Sequence, residues 1–118
     1  PIFAPSVART YRGMVVEVPL MTGAMLSTPS ANAIRDTLRS AFASSPIVSL
    51  VEDFDEAGLT IEQAAGTDRL ELLVFADNAG TQVRLCAALD NLGKGAAGAA
   101  VQTLNILAGL PETEGLRL

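Results

Sequence analysis

The sequence has no histidine, a single cysteine and a single lysine. Without histidine the commonest general base and metal ligand is missing. No Ser–His or Cys–His catalytic pair can form within the chain. One cysteine, Cys86, excludes an internal disulfide framework and fits a reducing compartment. It lies in an apolar stretch, with only Arg84 nearby as an activating charge, so it reads as a buried structural thiol. No apolar run approaches transmembrane length and no signal-peptide pattern opens the chain. The expected setting is the cytoplasm, with no membrane partner. The basic residues (Arg9, Arg12, Arg35, Arg39, Arg69, Arg84, Lys94, Arg117) are scattered. They make no dense stripe of the kind phosphate backbones require, which argues against nucleic acid.

What is present is globular. The chain has 118 residues, 49% hydrophobic and 18% charged, with a net charge of −5. That suffices for one domain with one modest core. A mean hydropathy of +0.36 is high for a lone small domain. The surplus apolar surface points to burial against another subunit or domain.

Met14–Leu20 (MVVEVPL) is β-branched and predicts a strand. A helix follows over "STPSANAIRDTLRSAFAS", with Thr28 expected as N-cap and Pro29 in the first turn. Ile34, Leu38 and Phe42 fall four apart on one face, Arg35 and Arg39 largely on the other, and Asp36 is spaced to pair with Arg39. Pro46–Val51 reads as a short strand. Glu52–Gly58 reads as an acidic loop whose spacing lacks a metal-loop pattern. Residues 59–69 read as irregular, with a turn at Ala65–Thr67. Arg69–Ala76 and Gln82–Leu89 are strands joined by the hairpin loop "DNAGT", and a last helix is expected from Gly95 to Ala108, closed by Gly109 and Pro111. The order predicts an α+β domain, with a mostly antiparallel sheet and helices packed on one face.

Gly93, Gly95 and Gly98 have the spacing G-x-G-x-x-G of a dinucleotide fingerprint. The context fails it, because no second parallel strand follows the helix. It is no P-loop either, since Gly95 and not Ser or Thr follows Lys94. Two readings of the segment remain. One is a close-packed core helix with a glycine-rich entry. The other is a helix N-terminus whose free N–H groups favour an anion or polar ligand.

The stretch "LDNLGKGAAGAAVQTLNILAGLPETEGL" resembles the C-terminal signature of the N-acetyl-gamma-glutamyl-phosphate reductases. "PIFAPSVARTYRGMVVEVPL" and "GTDRLELLVFA" are similar to segments of that family in the same order. Aspartate-semialdehyde dehydrogenase carries a similar D-N-L-x-K-G-A-A and is the alternative; a free-standing binding module derived from the reductase is another. The resemblance implies a two-domain, NADP-dependent enzyme of arginine biosynthesis, with a second domain like that of the glyceraldehyde-3-phosphate dehydrogenase-like superfamily. It implies that residues 1–118 form the substrate and dimerisation part, homo-oligomeric through the sheet, and that helix 95–109 returns to pack against the nucleotide domain. The catalytic cysteine and histidine motifs belong to parts not in this sequence, so these residues alone are expected to be inactive. By the same resemblance Asn91, Lys94 and Gly95 contact the cofactor, NADP. Arg12 and Gly13 contact an acyl-phosphate substrate, and Arg9 is a lesser candidate.

Overall fold

A computed structural model describes residues 3–54 and 59–118. Ile2, and Asp55, Glu56 and Gly58 of the acidic loop, lie outside the described residues. The elements are β1 (Met14–Leu20), α1 (Ala31–Ala41), β2 (Val48–Leu50), β3 (Leu70–Ala76), β4 (Val83–Leu89) and α2 (Gly98–Ala108). They form an α+β fold on a four-stranded sheet of order β1-β4-β3-β2. β4 pairs antiparallel with both β1 and β3, while β2 pairs parallel to β3 over three residues.

β2 is shorter than the sequence predicts. Pro46 has no N–H to give a ladder, and the N–H groups of Ile47 and Val48 donate to Ser45 Oγ. Its shortness leaves the edge of β3 open beyond Leu72. Arg35 closes that edge from α1, donating Nη2 to Val74 O at 2.8 Å. The residue expected to face solvent therefore reaches the sheet. Ile34 and Leu38 are half-buried, and α1 lies against β2 and β3.

The N-cap of α1 is Ser30, not Thr28. Ser30 Oγ accepts the Ala33 N–H at 3.1 Å, the bond that satisfies a helix-end donor. Pro29 precedes the cap, and Thr28 takes a left-handed φ of 35° in the turn before it. Asp36 and Arg39 pair as expected, and Arg39 also holds Glu52.

The register sorts the sheet into two faces. Val15, Leu73, Phe75, Cys86 and Ala88 share one, covered by Ala64, Val51, Phe54 and Leu59 from the β2–β3 connection. Phe54 meets Phe75 edge to face at 4.8 Å between centroids. Cys86 is buried as expected, and burial, followed by the neighbouring Glu17 carboxylate, pushes its thiol pKa up. The other face carries Met14, Val16 and Val18 of β1 beside Leu85 and Ala87 of β4. Val16 and Val18 are 45% and 48% exposed, so this half of the face is uncovered.

α1 lies against β2 and β3, while α2 continues from a turn that borders β4. The helix starts at Gly98, later than Gly95, because a π-helical turn over Gly93–Ala97 precedes it. There the Gly95 N–H reaches back five residues to Asp90 O at 2.8 Å, and Ala97 to Leu92 O at 3.2 Å. At the other end Gly109 adopts φ 69° and closes the helix on Asn105 and Ile106 carbonyls. Asn105 Nδ2 donates to the carbonyls of Glu112 and Glu114, folding the tail back on α2. Val101, Leu104, Ile106, Leu107 and Leu110 remain exposed.

Candidate functional site

The β1–β4 ladder ends at the Met14–Leu89 pair. Beyond it, side chains continue what the backbone stops. Asn91 Oδ1 accepts the Gly13 N–H at 2.9 Å. Asp90 Oδ2 lies 3.3 Å from Arg12 Nη1. Consecutive residues after β4 thus hold consecutive residues before β1. Gly13 is required there: its φ is 107°, and a β-carbon would sit 2.2 Å from Ile61 O.

Asp90 is the centre of the arrangement, and it was not singled out from the sequence. Its side chain is fully buried. Oδ2 also accepts the Gly66 N–H at 2.6 Å, while Oδ1 accepts Leu92 N–H at 2.8 Å and Gly93 N–H at 3.2 Å. Burial alone works to raise its pKa. The three N–H bonds and the Arg12 charge outweigh that and hold the carboxyl below its ordinary value. The available signal was an aspartate just ahead of a glycine-rich helix start, an N-cap pattern.

This decides what the glycine fingerprint does. The N–H groups expected to be free for an anion are occupied by Asp90, the chain's own anion. The glycines serve close approach. A β-carbon on Gly93 would meet Thr67 O at 2.5 Å, and one on Gly98 would meet Asp68 Oδ1 at 2.0 Å. Asp68 in turn accepts the Arg117 N–H at 2.9 Å and donates its own N–H to Arg117 O at 2.7 Å. Among the described residues no strand follows α2.

The structure brings Arg12, Gly13 and Asn91 together. Gly95 borders them through its bond to Asp90 O. Lys94 points elsewhere: Nζ donates to Gln102 Oε1 at 2.7 Å, and Gln102 Nε2 to Glu112 Oε1 at 2.7 Å. Its charge lies along α2. Arg9 is exposed. Arg12 is 28% exposed in its side chain, and Asp90 is its one charged partner among the described residues. Its Nε is buried without a hydrogen-bond partner. Among the described residues no His, Cys, Asp and Glu side chains cluster as a metal site, and no helix is long and apolar enough to cross a membrane.

Residues 1–91 match the family model described as "Semialdehyde dehydrogenase, dimerisation domain". The chain belongs to this family. The dimerisation-domain match covers β1 through Asn91 and stops at the turn into α2. Proteins named N-acetyl-gamma-glutamyl-phosphate reductase from Brucella anthropi, Brucella ovis and Brucella abortus are 43% identical to this dimerisation-domain chain over 112 residues. That alignment covers 92% of the chain and 36% of each relative. The chain therefore spans about a third of the length of the curated relatives it matches.

Proposed function

We propose that these residues supply the substrate contacts and the subunit interface of an NADPH-dependent reductase. Its reaction converts N-acetyl-gamma-glutamyl phosphate, NADPH and a proton to N-acetylglutamate semialdehyde, phosphate and NADP+, a step of arginine biosynthesis. The observation that carries the reading is the 43% identity, sustained over 92% of the chain, to reductases of that name. The geometry supports it. Arg12 is a partly exposed guanidinium at the end of the sheet, of the type that binds carboxylate or phosphate oxygens. Cys86 is buried and no histidine is present, so thiolate attack and proton transfer fall to residues outside this chain. The part left to this chain is to bind and orient.

The donor set fits the edge of a nicotinamide cofactor, not its whole length. Asn91 is exposed, and its Oδ1 is committed to Gly13, which leaves its amide N–H groups for a ligand. When bound, NADPH supplies the hydride. Asn91 would hold it, with Gly95 beside the same turn. A Lys94 contact needs its bond to Gln102 to be exchanged. The pyrophosphate needs a cradle these residues lack, since the fingerprint glycines pack against Thr67 and Asp68. The exposed leucines of α2 are the surface on which a nucleotide domain would lie, and the open half of the sheet is the surface for a second subunit.

The test is NADPH oxidation by the full-length protein with the acetylglutamyl and aspartyl phosphates in parallel. Turnover of the acetylglutamyl phosphate with little of the other is expected. Preference for aspartyl phosphate would move the chain to the semialdehyde branch.

A further inference from the structure

Among the described residues Arg12 meets one charged partner, Asp90, through one nitrogen, and its guanidinium lies 5.7 Å from the centroid of the Tyr11 ring. Three backbone N–H groups, of Gly66, Leu92 and Gly93, donate to the two oxygens of Asp90, and the Arg12 guanidinium lies beside Oδ2 as an ion-pair contact. They come from the loop before β1, the turn before β3 and the turn after β4. The backbone donors lie at 2.6, 2.8 and 3.2 Å, and the guanidinium at 3.3 Å. The carboxylate is therefore anchored by backbone and offers Arg12 one edge contact in place of a two-pronged pair. An arginine gripped by both oxygens would be spent on its partner. One gripped at a single nitrogen is oriented and keeps donors for an incoming anion.

We infer that Asp90 is a positioning residue for Arg12, setting the guanidinium's direction toward a carboxylate or phosphate oxygen of the substrate. The inference rests on the reading of Arg12 as a substrate contact. Asp90 touches no ligand; its effect passes through Arg12. The same carboxylate fixes the Gly66 turn and the entry to α2, so the aim of Arg12 is tied to where that helix begins. Asn91, the next residue, adds the Gly13 bond, which keeps the Arg12 backbone in register with β4.

The experiment is a double-mutant cycle on KM for the acyl phosphate in the full-length protein. Asp90→Asn keeps one oxygen for Leu92 and Gly93 but turns an amide toward Gly66 and Arg12. In the Arg12 background it is expected to raise KM by on the order of ten- to a hundredfold. In the Arg12→Gln background the same change is expected to raise KM by less than about twofold, because there is nothing left to position. Equal fold-changes in both backgrounds overturn the inference while leaving Arg12 a substrate contact. A wild-type KM for Arg12→Gln alone overturns both. Should Asp90→Asn fail to fold, the wild-type protein still decides. In 15N spectra a restrained Arg12 shows separate Nη signals, and a single averaged signal overturns the proposal.

Discussion

Asp68 and Gly98 approach so closely that a β-carbon on Gly98 would lie 2.0 Å from Asp68 Oδ1 and 2.6 Å from its Cγ. This contact joins the turn before β3 to the first turn of α2. Gly98→Ala is therefore expected to destabilise the fold by about 1–3 kcal/mol, the usual range for overpacking. Gly95→Ala is the control. Its β-carbon would meet Asp90 O at 3.3 Å and Leu89 Cδ1 at 3.4 Å, tight but adjustable. Urea unfolding of the two variants should show the larger loss at Gly98; the reverse order would mean the turn, not the helix, carries the constraint.

Asn91 has a structural bond and a proposed ligand bond on different atoms. Asn91→Asp keeps the acceptor for Gly13 N–H and loses the amide donor. It should leave thermal stability nearly unchanged and weaken NADPH binding in the full-length protein. Asn91→Ala loses the acceptor too, and should cost about 1–3 kcal/mol for the stranded Gly13 N–H. Calorimetric unfolding with NADPH titration separates the effects. Unchanged NADPH affinity in both variants removes Asn91 from the cofactor site.

Asp90 gives stability a pH dependence of known sign. Burial favours its neutral form, but the N–H bonds from Gly66, Leu92 and Gly93 and the Arg12 charge prevail, so its folded pKa is depressed. A depressed carboxylate contributes stability above its unfolded pKa of about 3.9 and loses it as pH falls through the folded value. Urea midpoints should be flat with respect to this group from about pH 7 to 5 and fall below about pH 4. Asp77 is lowered as well, chiefly by the Gln82 N–H, and acts in the same window. The acid slope should shrink, not vanish, in Asp90→Asn. An unaltered slope would assign the whole effect elsewhere.

The open half of the sheet should carry self-association. Val16 and Val18 are nearly half exposed on an apolar face. Val16→Glu is expected to change monomer stability by no more than about 0.5 kcal/mol, as for other exposed sites. The same change should convert a dimer of the wild-type chain to monomer in sedimentation at micromolar concentration. A wild-type chain that sediments as a monomer throughout that range would show that this face needs no second copy.

Local signals carried the elements, and distance limited the rest. β1 ran as a block of β-branched residues and appears with the bounds its pattern gives, Met14–Leu20. α1 was visible in the spacing of Ile34 and Leu38, but its cap was placed at Thr28, two residues early, and only the hydroxyl meeting the Ala33 N–H, that of Ser30, fixes the start. The parallel placement of β2 left no local trace, since three residues pair with a strand some twenty positions later. At the site, Arg12, Gly13 and Asn91 were legible as motif residues. Asp90 was hidden because its partners lie at 12, 66 and 92–93, and a turn aspartate looks the same with or without them. Lys94 shows the converse, a motif lysine whose ammonium is drawn to Gln102 by a contact eight residues away.

The reciprocal bonds between Asp68 and Arg117 bear on the timing of synthesis. A ribosome delivers residues at about 5–20 per second. Strands β1 to β4 can pair before Arg117 exists, yet Asp68, in the turn that also carries Gly66, stays without this anchor until Arg117 has emerged. The nascent chain would thus possess its sheet some seconds before Asp68 is anchored, leaving an interval in which the open apolar face is exposed while the fold is incomplete.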